Sequence, residues 1–220
     1  MRMTHAQHRK TIFYLMRHAP TEWNDAGRIQ GQADSPLTEI GQQWASGWGS
    51  QIADLALQQV LSSDTGRALA TAHLINHTLN LPLNRDARLR EQNWGAWTGC
   101  TMADIRTRHR ARFRQEEARG WAFCPPGGES HLDVLSRARQ ALTKAGRRWP
   151  QQRLLVVTHE GLMKCLVYHL AILQSCGQPV ARMTPYCLHR LALQGDDLVL
   201  EQMNALVLQP RPTAKGTDRI

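Results

Sequence analysis

Two histidines, two arginines and two acidic residues directly follow short apolar runs of the sequence. They are Arg17, His18, Asp64, Arg67, Glu91 and His159. Two guanidinium groups that share a tetrahedral anion form a standard phosphate clamp. A neutral imidazole inside such a clamp can attack phosphorus, and a neighbouring carboxyl can protonate the leaving oxygen. If the fold brings these side chains together, their types predict phosphoryl-transfer chemistry.

The apolar runs before these side chains are typical of β-strands. We predict strands over residues 11–16, 59–62, 82–89 and 154–158. Each run is followed by a helical pattern, and this alternation indicates a mostly parallel sheet with helices on both faces. Ligands of such sheets gather at the carboxyl ends of the strands. The sequence therefore predicts a three-layer α/β/α fold with the polar side chains along one rim.

Helical spacing of apolar residues predicts the elements between the strands. Helices are expected over residues 38–57, 65–79, 130–149 and 161–173. Asp64 or Thr65 is expected to cap the second helix, and Ser130 with Asp133 resembles a capping box at the third.

The end of the chain has a different pattern. Residues 187–193 and 198–203 flank a short polar turn and predict an antiparallel hairpin. From residue 210 to 220 the sequence has no apolar periodicity, so we expect a disordered tail. The remainder, 1–209, is expected to form a single domain.

The composition is that of a globular protein. The chain has 220 residues, of which 42% are hydrophobic, and such a chain can bury its core without disulfides or metals. Its apolar runs fall short of the roughly 20 residues of a spanning helix. The run after the basic first ten residues is too short for a signal peptide, and the five cysteines are scattered. We therefore expect a cytoplasmic protein with reduced thiols and no membrane association.

The formal charge of +9, from 27 Lys and Arg against 18 Asp and Glu, leaves two classes of partner open. A basic surface can bind nucleic acid, or basic residues can converge on a small anion. The most basic segment carries Arg106, Arg108, Arg110, Arg112, Arg114 and Arg119. These arginines are interleaved with acidic and apolar residues, and the chain has no recognised nucleic-acid-binding motif. A non-enzymatic nucleic-acid-binding protein is therefore the weaker alternative, and we expect no nucleic-acid partner.

Blocks of sequence around the polar side chains carry a family resemblance. They lie at residues 15–24, 28–31, 34–41, 62–68, 89–95, 126–130 and 157–161. The first reads LMRHAPTEWN, the fourth SSDTGRA and the last VTHEG. In this order they resemble the histidine phosphatase superfamily, the phosphoglycerate mutase-like proteins. The resemblance implies that family's α/β/α fold, with a small helical insertion at 99–130 over the site.

The resemblance also implies a role for each core residue. His18 would be the nucleophile that becomes phosphohistidine, and Arg17, Arg67 and His159 would bind the phosphoryl oxygens. Glu91 would be the general acid and later the base that activates water. Two arginines and a cationic His159 can stabilise the charge on the phosphoryl oxygens, so no metal ion or other cofactor is expected. Because His18 must attack as a neutral imidazole, we expect the pKa values of the two histidines to be pushed apart.

Further residues are expected to bind the substrate, a small phosphorylated metabolite. The resemblance adds Asn24, Gln30, Gly31 and Glu160 to the substrate-binding set. The oligomeric state stays open, with a homodimer possible.

Three positions depart from the family's pattern. Ala19 stands where Gly is usual, Thr98 where many members have Glu, and Glu160 where Gly or Asn is common. A carboxylate at position 160 would repel a phosphate unless it points away, or it would contact a hydroxyl of the substrate.

The segment after Glu91 distinguishes hydrolases from mutases in this family. Mutases have a Gly-Leu-Asn-Lys run there, whereas residues 94–100 read WGAWTGC, like the smaller phosphatases. The PGGES block at 126–130 resembles the alpha-ribazole phosphatase and broad-specificity phosphatase branch. We therefore predict a metal-independent phosphomonoester hydrolase. The alternatives are a cofactor-dependent phosphoglycerate mutase-type phosphoryl transferase and a phosphatase-like scaffold without activity.

The insertion at 99–130 has two interpretations. Its arginines lie on a solvated helix, or they belong to a lid and meet the anionic substrate. In the second case Trp121 and Phe123 would line the pocket for the leaving group.

Overall fold

The computed structural model describes residues 10–210 and contains one six-stranded sheet with the strand order β3-β2-β4-β1-β5-β6. The strands are β1 (Thr11–Arg17), β2 (Gln59–Ser62), β3 (Leu83–Arg85), β4 (Arg153–Thr158), β5 (Cys187–Gln194) and β6 (Asp197–Val207). The first four pair in parallel, and the hairpin of β5 and β6 joins β1 antiparallel. The predicted hairpin is thus confirmed. The predicted tail lies, apart from Pro210, outside the described residues.

Helices cover both faces of this sheet, so the predicted α/β fold is confirmed. Within the described range they are α1 (Glu22–Asp25), α2 (Glu39–Gln51), α3 (Gly66–Leu79), α4 (Met102–Arg108), α5 (Arg110–Glu117), α6 (His131–Arg148) and α7 (Glu160–Gln174). No helix among these is long and apolar enough to cross a membrane. The division into one domain at 1–209 stays a prediction.

The alternation of side chains along β1 builds two hydrophobic cores. Phe13 and Leu15 face α6 and α7, whereas Tyr14 and Met16 face α2 and α3. Successive residues of a strand point to opposite faces, so a central strand covered on both sides needs a continuous apolar run. This requirement explains why the sequence of β1 is apolar at every position from Ile12 to Met16.

The predictions of β1, β2 and β4 are accurate, whereas five of the eight residues predicted for the third strand, 82–89, lie outside it. Only Leu83–Arg85 pairs with β2, and Ala87–Leu89 forms a 3₁₀ turn. The Asp86 side chain causes the change, because it accepts the backbone N–H of Arg88 at 2.9 Å and so caps the turn. The turn leads the chain towards Glu91.

The helix caps agree with the sequence at one helix and not at another. Ser130 and Asp133 form the predicted capping box of α6. At α3, Thr65 occupies the N-cap position, but its side chain accepts no N–H of the helix. Asp34, from a distant loop, accepts the N–H groups of Gly66 and Arg67 instead. The cap predicted from Asp64 or Thr65 is therefore wrong, because a carboxylate from outside the helix takes its place.

The predicted helix at 38–57 is shorter in the structure. It ends at Gln51, and the 3₁₀ turn Ala53–Leu55 follows. Further along the chain, α4, α5 and the 3₁₀ turn Gly120–Ala122 form the helical insertion expected at 99–130. Its own small core packs Trp97, Ile105, Phe113 and Phe123 together.

Candidate active site

Most of the predicted site residues meet at the carboxyl ends of the parallel strands. Arg17 ends β1 and His18 follows it, His159 follows β4, and Arg67 lies in the first turn of α3. The rings of His18 and His159 have centroids 5.2 Å apart. Beside them is a cavity of about 630 Å³ that Arg17, His18, Arg67 and Glu91 help to line. The structure thus brings these four side chains together at the carboxyl ends of the parallel strands.

Two of the predicted residues lie away from this cavity. Asp64 pairs with Arg90, with its carboxylate oxygens 2.7 and 2.6 Å from that guanidinium, and it does not line the cavity. His159 is completely buried behind the cavity wall rather than on its surface.

His18 has a defined tautomer. Its Nδ1 donates to the carbonyl of Ala19 at 2.8 Å, so the proton of the neutral ring lies on Nδ1. Its Nε2 accepts from Nε of Arg67 at 3.3 Å. Burial, together with the positive charges of Arg17 and Arg67, holds the pKa of His18 well below its ordinary value. The ring is therefore neutral at physiological pH, with its lone pair on Nε2.

His159 is also neutral in the free protein. Burial is the main reason that the pKa of His159 lies well below its ordinary value, and the positive charge of Arg67 adds to it. Both pKa values are shifted downward, because burial penalises the charged form of both rings, and the expected separation of the two values stays a prediction. Nε2 of His159 contacts Ser63 at 2.9 Å and Thr65 at 3.2 Å. Its Nδ1 is buried and has no hydrogen-bond partner among the residues described.

Arg67 is held rigidly. Its Nη1 donates to the carbonyl of Ala33 at 2.6 Å and to Asp34 at 3.2 Å, and its Nη2 donates to the carbonyl of Gly31 at 2.7 Å. Gly31 has a φ of +52°, a left-handed conformation that favours glycine. The loop that carries these acceptors therefore fixes the guanidinium beside His18.

Arg17 has fewer partners. Its Nη1 lies 2.6 Å from a carboxylate oxygen of Glu160, and the other oxygen lies 2.6 Å from Nζ of Lys164. Nε of Arg17 is buried and has no partner within the described structure. Glu160 does not point away from the site, since it lines the cavity and pairs with Arg17.

Glu91 is bound by the amino end of α7. Its Oε1 accepts the backbone N–H groups of Gln92 at 2.8 Å and of Leu162 at 3.0 Å, and its Oε2 accepts that of Gly161 at 2.9 Å. Gly161 permits this approach, because a Cβ there would lie 2.4 Å from Oε1. Oε2 accepts only one of these bonds and keeps a lone pair for proton exchange.

A network that the motifs did not indicate supports the Glu91 segment. Arg137 of α6 donates to the carbonyls of Arg88 at 2.7 Å, Arg90 at 2.5 Å and Glu91 at 2.9 Å. It also pairs with Glu129 at 2.9 Å. The sequence contains one indication of this role, because Arg137 falls at helical spacing among the buried residues of α6.

Asn24 and Gln30 meet at the hydroxyl of Thr21. Asn24 closes the capping box of α1 with Thr21, and Gln30 donates from Nε2 to the Thr21 hydroxyl at 2.7 Å. Both residues line the cavity. Oε1 of Gln30 is buried and has no partner in the described part of the chain, so it is available to a donor on a ligand.

Part of the cavity wall is aromatic and apolar. It is lined by Ile29, Trp94, Met102, Trp121, Cys165 and Tyr168. The expectation for Trp121 therefore agrees with the structure, but Phe123 packs into the core of the insertion instead.

The arginines at 106–119 do not line the cavity. Besides Arg17 and Arg67, the lysine and arginine side chains that line it are Arg28 and Lys164. In the insertion, Arg112 and Arg119 pair with the buried carboxylate of Glu116 at 2.7 and 2.8 Å. Across residues 10–210, no group of three or more His, Cys, Asp or Glu side chains is arranged to hold a metal ion.

Comparisons with known proteins agree on one family. The family model described as histidine phosphatase superfamily (branch 1) matches residues 13–206. A protein of Salmonella choleraesuis named probable phosphoglycerate mutase GpmB is 36% identical over 155 residues, which cover 70% of this chain and 72% of the relative.

Solved structures of similar fold include proteins named as phosphatases. YhfR of Bacillus stearothermophilus has a TM-score of 0.74 and 31% identity, covering 87% of this chain and 95% of its own. A mycobacterial glucosyl-3-phosphoglycerate phosphatase has a TM-score of 0.76 and 28% identity, covering 90% of this chain and 100% of its own. A putative alpha-ribazole-5'-P phosphatase of Escherichia coli has a TM-score of 0.73, with 91% of this chain and 99% of its own covered; at 23% identity it shows the fold alone.

Proposed function

The chain belongs to the enzymes of the histidine phosphatase superfamily (branch 1), and we propose that it hydrolyses phosphomonoesters of small metabolites through a phosphohistidine at His18. The observation that carries this proposal is the state of the His18 ring. It is neutral, its proton is held on Nδ1 by Ala19, and its Nε2 lies beside Arg67 at the wall of a cavity. A nucleophilic imidazole needs each of these properties.

In the first step, Nε2 of His18 attacks phosphorus and the bond to the leaving oxygen breaks. The hydrogen bond from Nε of Arg67 to Nε2 is lost on attack, and this N–H can then donate to a phosphoryl oxygen. The carbonyl of Ala19 stabilises the positive charge that develops on the ring, because it accepts the Nδ1 proton. Glu91, protonated on Oε2, gives its proton to the leaving oxygen, and the alcohol departs.

In the second step, Glu91 takes a proton from water, the water oxygen attacks phosphorus, and the P–N bond breaks. His18 returns to its neutral form and inorganic phosphate is released. Arg17 and Arg67 stabilise the charge on the phosphoryl oxygens throughout. His159 offers the buried, unpartnered Nδ1, and a phosphate dianion nearby would stabilise a proton on that atom.

The test is turnover of an aryl phosphate in the presence of EDTA. We expect the wild type to release phosphate, to form an acid-labile phosphoprotein and to keep its rate when metals are chelated. His18→Ala should lose turnover and labelling together. Activity that survives this substitution would refute the assignment of the nucleophile.

A phosphoglycerate mutase-type transferase is the second candidate, because the relative from Salmonella choleraesuis carries a mutase name. The two candidates differ in what takes the phosphoryl group from His18: water in the hydrolase, and a hydroxyl of bound phosphoglycerate in the mutase. Incubation with 3-phosphoglycerate, with and without the bisphosphorylated cofactor, distinguishes them. Release of phosphate supports the hydrolase, and isomerisation without release supports the mutase.

A further inference from the structure

The two clamp arginines are supported very differently. Arg67 donates to Ala33, Asp34 and Gly31 as well as to His18. The guanidinium of Arg17 has only Glu160 as an ion-pair partner within residues 10–210. Glu160 therefore holds the guanidinium of Arg17, as three acceptors of a loop hold that of Arg67.

The ion pair with Glu160 leaves one edge of the Arg17 guanidinium free. Glu160 binds Nη1, whereas Nε lies on the other edge of the planar group, is buried and has no partner among the described residues. A buried unsatisfied donor is costly unless a ligand accepts from it. A phosphoryl oxygen can accept from Nε while Glu160 remains on Nη1.

Lys164 holds Glu160 in turn. The lysine lies one helical turn further along α7, and its Nζ is 2.6 Å from Oε1 of Glu160. Partial burial raises the pKa of Glu160, but the charge of Arg17 and the hydrogen bond and charge of Lys164 outweigh it and leave this pKa below its ordinary value. The carboxylate is therefore ionised, and its charge is offset by two cations.

We propose that Glu160 is a positioning residue for Arg17: with Lys164 it fixes the guanidinium at Nη1, so that Nε faces the phosphoryl group. This role rests on the function proposed above. The opposite role is electrostatic competition, in which Glu160 occupies Arg17 and repels the phosphate. The two roles predict opposite signs for the effect of removing the carboxylate.

The test compares Glu160→Ala and Glu160→Gln with the wild type. If Glu160 positions Arg17, Glu160→Ala should raise KM for an aryl phosphate and the inhibition constant of inorganic phosphate by roughly 10- to 100-fold, the worth of a hydrogen bond to a charged group. Glu160→Gln keeps an oxygen that can accept from Nη1, so it should recover part of the loss. An inhibition constant that falls in either variant would overturn the proposal.

Two further variants isolate the path through Arg17. In an Arg17→Lys background the planar fork is gone, so Glu160→Ala should not weaken phosphate binding further, and a further loss would contradict the proposal. Asp196→Ala removes the carboxylate of an exposed arginine pair with a similar distance of 2.7 Å, Arg147–Asp196. This control should leave both constants unchanged, and an equal effect there would overturn the specific role.

Calorimetric binding of inorganic phosphate separates this proposal from the hydrolase proposal. If the wild type binds phosphate but does not hydrolyse esters, the proposed function fails, while the order wild type, Glu160→Gln, Glu160→Ala in phosphate affinity still decides the role of Glu160. If the wild type does not bind phosphate, both proposals are refuted.

Discussion

Replacing Gly161 with alanine should separate the stability of α7 from the activity of the site. A Cβ on Gly161 would lie 2.4 Å from Oε1 and 3.2 Å from Oε2 of Glu91. The obstructing atoms are the far end of a flexible side chain, so Glu91 can swing away while the backbone stays in place. Glu91 would then lose the N–H groups of Gly161 and Leu162 that now hold it.

The expected effects on stability and activity differ greatly in size. Alanine is favoured over glycine in a helix by about 1 kcal/mol, and this gain offsets the loss of two hydrogen bonds worth about 1 kcal/mol each. The melting temperature should therefore change by only about 2–4 °C. Displacing a catalytic group by about 1 Å costs on the order of 100-fold in rate, and general acid catalysis contributes about 10²–10⁴-fold. We expect kcat on an alkyl phosphate to fall about 100-fold.

The assay uses an alkyl and an aryl phosphate with four proteins: wild type, Gly161→Ala, Glu91→Ala and the double variant. The alkyl ester has the poorer leaving group and depends more on the acid, so its rate should fall more than that of the aryl ester. In the Glu91→Ala background, Gly161→Ala should have no further effect. Full alkyl activity in Gly161→Ala, or an additional loss in the double variant, would refute the reasoning.

Three other measurements test the chemistry of individual side chains. Because the pKa of His18 lies well below its ordinary value, nitrogen NMR should show its neutral Nδ1–H form at pH 6, and a protonated ring there would contradict the assignment. Burial lowers the pKa of His189 from 6.5 to about 4, so the folded state binds this proton less readily than the unfolded chain does. The contribution of His189 to the free energy of unfolding is complete above pH 6.5 and falls by about 3 kcal/mol towards pH 4, at about 1.4 kcal/mol per pKa unit. Urea titrations at pH 7 and 4.5 should therefore show a larger loss of stability in the wild type than in His189→Gln. Equal losses in the two proteins would argue against a lowered pKa of His189. Burial raises the pKa of Cys165 to about 12, whereas Cys176 is exposed. Iodoacetamide at pH 7.5 should therefore label Cys176 without loss of activity, and mass-spectrometric labelling of Cys165 would show the expectation to be wrong.

The parts of the fold that follow from local periodicity could be predicted. The continuous apolar run of β1 predicts a strand buried on both faces, and the residues after parallel strands meet at one rim whatever the details of the loops. This is why Arg17, His18 and Arg67 could be placed together from the sequence. The 3₁₀ turn at Ala87–Leu89 could not be predicted in this way, because a single hydrogen bond from the backbone N–H of Arg88 to the side chain of Asp86 decides it.

The protonation of the site depends on long-range contacts and could not be predicted. His159 was expected to be charged, but complete burial makes it neutral, and burial is a property of the packed fold rather than of nearby residues. The same limit applies to Asp34, which caps α3 from 32 residues away, and to Arg137, which reaches the Glu91 segment from another helix. The resemblance to a family identified the polar residues at this rim, but not the contacts that hold them.

The rigid support of Arg67 has a consequence for the entropy of ligand binding. An arginine side chain has about 2 kcal/mol of rotamer entropy to lose when it is immobilised. Arg67 has lost it already on folding, since Ala33, Asp34 and Gly31 fix its guanidinium before any ligand arrives. The cost of ordering this half of the phosphate site thus lowers the stability of the folded protein, and it does not lower the affinity for phosphate. The loop that carries these three acceptors thereby makes phosphate capture less sensitive to temperature than it would be with a freely rotating arginine.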